Sequence, residues 1–334
     1  HYLPVVFTRY EGNEVMNYSP FLYAYEQENI AITGDGTFDG QAGDSEWWPW
    51  KVSGKKDQAK LRDIAEENAL GRERVFGDGH LLRTNFVQPY LCKNVLIEGV
   101  TFINSPMWAL NPVLCSNVTI RNVKVSSHGP NNDGCDPESC KNVLIEDCYF
   151  NTGDDCIALK SGRNKDGFRW NTPAENIIIR RCVMKDGHGG VVIGSEISGG
   201  CRNVWAEDCE MDSPNLDRVV RLKTNPLRGG TIENLFVRNI RVGECKESVM
   251  RVELKYERVT EGPNMPLIRH MVLSNIHSNK SKYGVWIDGY TDRINVHDVL
   301  IRNCSFSNAE KGNLIVGAEN VVFEDCLLNG EKIE

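Results

Sequence analysis

The sequence predicts an all-β chain wound as a right-handed parallel β-helix, a solenoid forming a single elongated domain over residues 1–334. Three observations carry that expectation. One short motif recurs along the chain, its spacing is close to one solenoid coil, and each unit is built of strand and turn residues. The motif is Asn, an aliphatic residue, any residue, then a second aliphatic residue. It stands as Asn29-Ile-Ala-Ile, Asn94-Val-Leu-Ile, Asn117-Val-Thr-Ile, Asn142-Val-Leu-Ile, Asn176-Ile-Ile-Ile, Asn203-Val-Trp-Ala, Asn234-Leu-Phe-Val and Asn320-Val-Val-Phe. Fixed-period self-similarity of this length is the mark of stacked repeats.

The spacing supports the coil reading. Asn94, Asn117 and Asn142 stand 23 and 25 residues apart, and later gaps of 34, 27 and 31 suit the same unit carrying loops. A single coil cannot bury its own apolar face, whereas stacked coils share one core. The units are rich in β-branched residues and punctuated by Gly, Asn and Asp, the composition of short strands and turns. A leucine-rich repeat of similar period would show a denser Leu pattern. The repeated Asn is expected as an internal ladder residue whose amide bonds the coils above and below.

A cysteine follows several strands at a fixed step, as in Ile-Glu-Asp-Cys148, Ile-Arg-Arg-Cys182, Ala-Glu-Asp-Cys209, Ile-Arg-Asn-Cys304 and Phe-Glu-Asp-Cys326. The chain has 12 cysteines, and recurrence in similar contexts reads as a stack of buried thiols, with one or two disulfides as the alternative. No pair of CxxC motifs suggests zinc. A loop and helix insertion is expected at about 45–85, with a helix from about Asp57 to Leu70 in its Lys-, Glu- and Ala-rich stretch. The Gly-Asp-Gly triplets at 34–36 and 77–79 read as turns.

Hydrophobic residues make up 40% of the 334 residues, enough for a sizeable core, and the net charge is −8. An acidic chain argues against nucleic acid or an anionic membrane as partner, since both require basic patches. No apolar run reaches the roughly 20 residues of a membrane-spanning helix. The opening His1-Tyr-Leu-Pro-Val-Val-Phe-Thr reads as a strand already under way, as in a mature or trimmed chain. Nothing in the sequence speaks to oligomeric state.

Four segments break the repeat by concentrating polar residues. They are Gly129-Pro-Asn-Asn-Asp133-Gly, Gly153-Asp154-Asp155-Cys, Asp186-Gly-His188-Gly-Gly and Arg221-Leu-Lys223-Thr-Asn. Singly, each is ordinary turn chemistry. Their spacing joins them. Asp133 and Asp155 are 22 residues apart, and Asp155, His188 and Arg221 follow at 33-residue steps. Residues one coil apart face the same way at about 4.8 Å. Three carboxylates, a histidine and two cations are therefore expected on one patch. Glycoside hydrolysis needs a protonated carboxylic acid and an ionised carboxylate, and clustering pushes one pKa up. Arg221 and Lys223 alternate along a strand and suit a uronic acid carboxylate, Arg through a bidentate fork.

In that order and spacing the four segments resemble the signature of the polygalacturonases, glycoside hydrolase family 28. They stand here as Asn131-Asn132-Asp133, Gly153-Asp154-Asp155, Gly187-His188-Gly189 and Arg221-Leu222-Lys223, with conservative departures at Asn132 and Leu222. The match is strong over roughly Asn94 to Gly230. The resemblance implies hydrolysis of α-1,4-galacturonide bonds with inversion and no metal or other cofactor. It implies Asp154 as general acid, Asp133 and Asp155 as activators of water, and His188 as their assistant. It implies Arg221 and Lys223 as substrate-binding residues; Asn132 within the motif and Lys160 and His128 near the motifs are further substrate-binding candidates. Inversion sits awkwardly with the usual carboxylate separation of about 6.5–9.5 Å, because stacking brings these groups closer.

Gly194-Ser-Glu-Ile-Ser-Gly-Gly200 and the segment from Trp47 to His80 resemble the bacterial exo-acting branch. The insertion would close one end of the cleft, with Trp47, Trp48 and Trp50 either stacking on sugar or packing the loop. Other readings remain open. They are an endo-acting enzyme or rhamnogalacturonan hydrolase, a β-helix pectate lyase with calcium and an Arg base, and a non-catalytic glycan-binding β-helix. The implied partner is a pectic polysaccharide or oligogalacturonide. The implied place of action is secreted or periplasmic, with a cytoplasmic enzyme on imported oligomers as the alternative.

Overall fold

The computed structural model describes residues 3–67 and 69–333. Its strands stack in parallel register, coil on coil, as a right-handed parallel β-helix. One face is a parallel sheet whose successive strands are Ile157–Leu159, Val191–Gly194, Arg218–Lys223, Ser248–Glu253, Tyr283–Asp288 and Leu314–Val316. Single bridges Val87↔Leu110, Leu110↔Cys135 and Cys135↔Ile157 carry the same column back toward the N-terminus. The Asn-aliphatic units form another face. There Val143 pairs with Ile177, Ile177 with Val204, and Val204 with Leu235, all buried. Alternation along a strand sends every second side chain inward. The inward columns make one contiguous core from Phe86 to Cys326.

The asparagine ladder exists but stands outside the coil. Asn94 Nδ2 donates to Asn29 Oδ1 at 2.8 Å, Asn117 to Asn94 at 2.9 Å and Asn142 to Asn117 at 3.1 Å. The series continues through Asn176, Asn203 and Asn234. The cause is backbone geometry. Each Asn sits near φ +57°, and this left-handed bend turns its side chain away from the core just before the inward Val or Ile. Asn tolerates that region better than other residues bearing a Cβ. Asp147, Arg181, Asp208, Asn303 and Asp325 make a second left-handed bend, each immediately before a cysteine. That bend directs Cys148, Cys182, Cys209, Cys304 and Cys326 inward. All 12 cysteines are buried, free thiols.

The opening strand differs from expectation. His1 and Tyr2 lie outside the described residues, and Val5–Tyr10 pairs antiparallel with Asn13–Tyr18 as a hairpin, not as a coil. Within the expected insertion two helices form, Trp50–Ser53 and Lys55–Glu66. The second begins and ends before the predicted bounds, and residue 68 lies outside the described residues. Leu61, with the partly buried Ile64 one turn on, packs against Tyr10, Val15, Phe76, Leu82, Met107 and Trp108. This second core fastens hairpin and insertion to the β-helix beside the polar segments. A third helix, Asn164–Trp170, lies in the 34-residue gap between Asn142 and Asn176.

Of the two roles open to the tryptophans, the structure adopts packing. Trp47 is buried against Tyr18, Phe21 and Trp50. Trp48 donates its indole N–H to the Ser105 carbonyl at 2.9 Å. Its ring lies so close to Gly129 that a Cβ there would come within 2.1 Å of it.

Candidate active site

The coil register brings the four polar segments together in two adjacent columns. Backbone bonds from Asp154 N to the Asn132 carbonyl (3.3 Å) and from His188 N to the Asp154 carbonyl (3.0 Å) stack Asn132, Asp154 and His188. One position on, the offsets set by Cys135↔Ile157 and Ile157↔Val191 stack Asp133, Asp155 and Gly189. Gly189 leaves room there, since a Cβ would meet Asp155 Oδ1 at 3.4 Å and Val192 Cγ2 at 2.4 Å. One oxygen from each of Asp133, Asp154 and Asp155 lies within 4.8 Å of the others. Arg221 pairs with Val192 and Lys223 with Gly194, so both project from the same face.

These groups meet in a cleft of about 410 Å³. Asp133, Asp154, His188, Arg221, Lys223 and Lys160 line it. Asp155 is fully buried at its base, where Lys223 Nζ donates to Oδ2 at 2.6 Å. Arg221 Nη2 bonds Glu253 Oε2 at 3.0 Å. Lys160 is buried with its donors committed to the protein, Glu196 Oε2 at 3.1 Å and the Gly194 carbonyl at 3.3 Å. It also approaches Asp136 at 3.5 Å and lies over the Trp108 ring at 4.5 Å.

Two expected substrate contacts fall elsewhere. Asn132 is fully buried, its Oδ1 accepting from Ser127 Oγ and Gly129 N, so it shapes the turn. Its neighbour Asn131 takes the cleft position and directs Nδ2 at Asp154 Oδ2, 3.5 Å away. His128 points outside the cleft toward Asn151 at 3.1 Å and Asp186 at 3.8 Å. Several lining residues escaped sequence reasoning. Tyr256 sits with its ring centroid 5.5 Å from the Arg221 guanidinium carbon and 5.4 Å from Lys223 Nζ. Glu11, Lys51, Arg62, Arg163 and Glu257 wall the cleft from sequence-distant segments. Glu196 was within reach, because the segment 194–200 stood out in the sequence.

The electrostatics divide the acids. Burial, reinforced by the charges of Asp136 and Asp154, pushes Asp133 well above the carboxylate range. Burial would raise Asp154 too. The hydrogen bond from His188 Nδ1 (2.9 Å to Oδ1) and the charge of Lys223 outweigh it and hold Asp154 at about 2. The same bond to Asp154 raises His188. Asp133 is therefore the more basic of the two carboxyls and Asp154 the more acidic. Clustered carboxylates of unequal environment are the raw material of acid–base catalysis. They are a poorer nest for a divalent cation here, because the Lys223 ammonium on Asp155 Oδ2 already offsets part of their negative charge.

The sequence profile of the family described as Glycosyl hydrolases family 28 matches residues 79–319. A probable polygalacturonase from Vitis vinifera is 32% identical over 238 residues, covering 69% of this chain and 42% of its own length. An exo-poly-α-D-galacturonosidase from Dickeya chrysanthemi is 27% identical over 251 residues, covering 69% of this chain and 40% of its own. The chain thus spans less than half the length of either relative. The crystal structure of a hyperthermoactive exopolygalacturonase from Thermotoga maritima superposes with a TM-score of 0.96 at 44% identity. That match covers 99% of this chain and 77% of the other.

Proposed function

This chain belongs to family 28 of the glycosyl hydrolases, and from that premise we propose that it hydrolyses α-1,4-galacturonide bonds, releasing sugars from a chain end. The observation that carries the proposal is the meeting of three carboxylates within 4.8 Å beside two cations on one face. Asp154 donates the proton to the leaving oxygen. Asp133 and Asp155 hold and deprotonate the water, and His188 tunes Asp154. Arg221 and Lys223 take the uronate carboxylate. Binding that anion offsets the Lys223 charge that keeps Asp154 acidic, so substrate itself raises the Asp154 pKa toward that of a working acid.

Exo action is supported by the wall that Glu11, Lys51 and Arg62 build from the hairpin and insertion, which the Thermotoga exopolygalacturonase accompanies as a close structural likeness. Inversion rests on the family resemblance. The carboxyl oxygens are closer than the usual inverting separation, so the anomer first formed, read by proton NMR, decides it. A calcium-dependent lyase is disfavoured by Lys223 on Asp155. Among the described residues no helix is long and apolar enough to cross a membrane. Action outside the cytoplasm, where pectin lies, is part of the proposal. Incubation of the wild type with oligogalacturonates in a chelator tests the reading. Saturated products are expected, and unsaturated products or activity lost to the chelator would replace hydrolysis by elimination.

A further inference from the structure

A continuous apolar stripe runs along the outside of the β-helix, on the sheet of Asn-aliphatic units and not on the sheet that carries the cleft. In each unit the residue between the two inward aliphatics points outward. The coil register stacks these residues as Leu144, Ile178, Trp205, Phe236, Val272 and Leu300. Thr119 and Leu96 continue the column toward the N-terminus. Seven steps of about 4.8 Å make the stripe about 34 Å long. Ile178 and Trp205, at its middle, are 37% and 36% exposed. The solvent side of a sheet ordinarily carries polar side chains, and an apolar patch this long marks an interaction surface.

Charged residues flank the stripe in alternating sign. Two positions beyond it stand Glu98, Arg121, Glu146, Arg180, Glu207 and Arg238, with Arg302 further along. Within the chain these neutralise one another along the axis, as Arg180 does Glu146 at 2.8 Å and Arg238 does Glu207 at 2.6 Å. The flank therefore has no net sign to attract a polyanion. The stripe also lacks an aromatic platform for a sugar, because Trp205 and Phe236 turn their faces to each other at 17° and 5.6 Å.

The pattern does fit itself. A two-fold axis crossing the stripe between Ile178 and Trp205 lays a second copy antiparallel on the first. Ile178 then meets the partner's Trp205, and Leu144 meets the partner's Phe236. The flanking charges face their opposites. Arg180 meets the partner's Glu207, Glu146 the partner's Arg238 and Glu98 the partner's Arg302. On the other flank Glu175 meets the partner's Arg202 and Lys141 the partner's Glu233. From Glu175 to Arg180 the strand spans about 17 Å, so the two facing surfaces together cover roughly 1,200 Å², enough for a specific interface.

We propose that the chain forms an isologous dimer, two copies packed antiparallel through this stripe with their two-fold axis between Ile178 and Trp205. Both clefts stay open, since they lie on another sheet of the coil.

Sedimentation of the wild type over a concentration series reads the association. A reversible dimer is expected, and a single-chain mass at every concentration would overturn the proposal. Ile178→Glu puts an unpaired charge at the centre and should leave a folded monomer. A dimer that survives Ile178→Glu would overturn the assignment. Should that variant not fold, an exchange of charges decides. Glu98→Arg alone and Arg302→Glu alone each set like charges face to face twice, and each should weaken the dimer by roughly 10-fold or more. Mixed in equal amounts, the two variants should regain wild-type affinity. Within one chain Glu98 and Arg302 lie seven coils apart, so only a second copy in the antiparallel register produces this rescue. A mixture no tighter than either variant alone would overturn the proposal.

Discussion

Asp154 is gripped at both oxygens, by His188 and the Asp155 amide on Oδ1 and by Asn131 on Oδ2. An Asn side chain keeps that shape and loses the proton. D154N should therefore reduce turnover by about 10²–10⁴-fold, the usual worth of a positioned acid, with little change in melting temperature. The other two carboxylates should differ in stability. Burial raises the Asp133 pKa, so a neutral amide is tolerated there and D133N should cost under about 1 kcal/mol. D155N strips the buried Lys223 ammonium of its partner and should cost about 3 kcal/mol or more in urea unfolding. Because the folded-state pKa of Asp133 is raised, its contribution is fully present below the unfolded value of about 3.9. It is lost as pH rises through the folded value. The stability of D133N should thus decline less than that of the wild type over that rise. Equal slopes would mean that Asp133 is ionised in the fold. Residue identities at this site were legible because Asp133, Asp155, His188 and Arg221 stand at coil spacing. Asn132 was misplaced for want of one position, since sequence does not reveal which of two adjacent asparagines a left-handed turn buries.

Each coil is held by elements whose chemistry the repeat displays. The Asn of each repeated motif bends left-handed, and along the ladder its amide joins neighbouring coils. Asn142 both donates to Asn117 and accepts from Asn176. Asn142→Ala loses two exposed bonds and puts a Cβ residue without local compensation at φ +58°. The cost should be about 1–2 kcal/mol. Asn142→Gly, free at that φ, should cost less. An alanine variant as stable as the glycine one would remove the left-handed bend from the account. Strand positions were readable because β-branched alternation and turn residues mark them locally. The side on which the ladder lies was not, because it depends on φ at one residue. The helix Lys55–Glu66 was foreseen in kind and shifted in bounds. Helix ends depend on caps, and neither end of this helix has a side-chain cap.

At the scale of the whole molecule, the β-helix supplies the carboxylates and the decorations supply the wall. Glu11 and Arg62, bonded at 2.6 Å, come from the hairpin and the insertion helix. Arg163 and Tyr256 come from loops between coils. No common spacing links these four, so sequence reasoning had nothing to join them by. They meet only because a second apolar core docks hairpin and insertion beside the coils that carry the acids. The central claim is that coils bring Asp133, Asp154 and Asp155 into one cleft, where they cleave galacturonides from an end. The most direct measurement is chromatography of products from a galacturonate oligomer ladder, with wild type and D154N side by side. The wild type should release monomer and oligomers shortened by one unit, all saturated, while D154N releases almost nothing. A spread of intermediate lengths from the first minutes would contradict the closed end, and equal turnover by D154N would contradict the carboxylate chemistry itself.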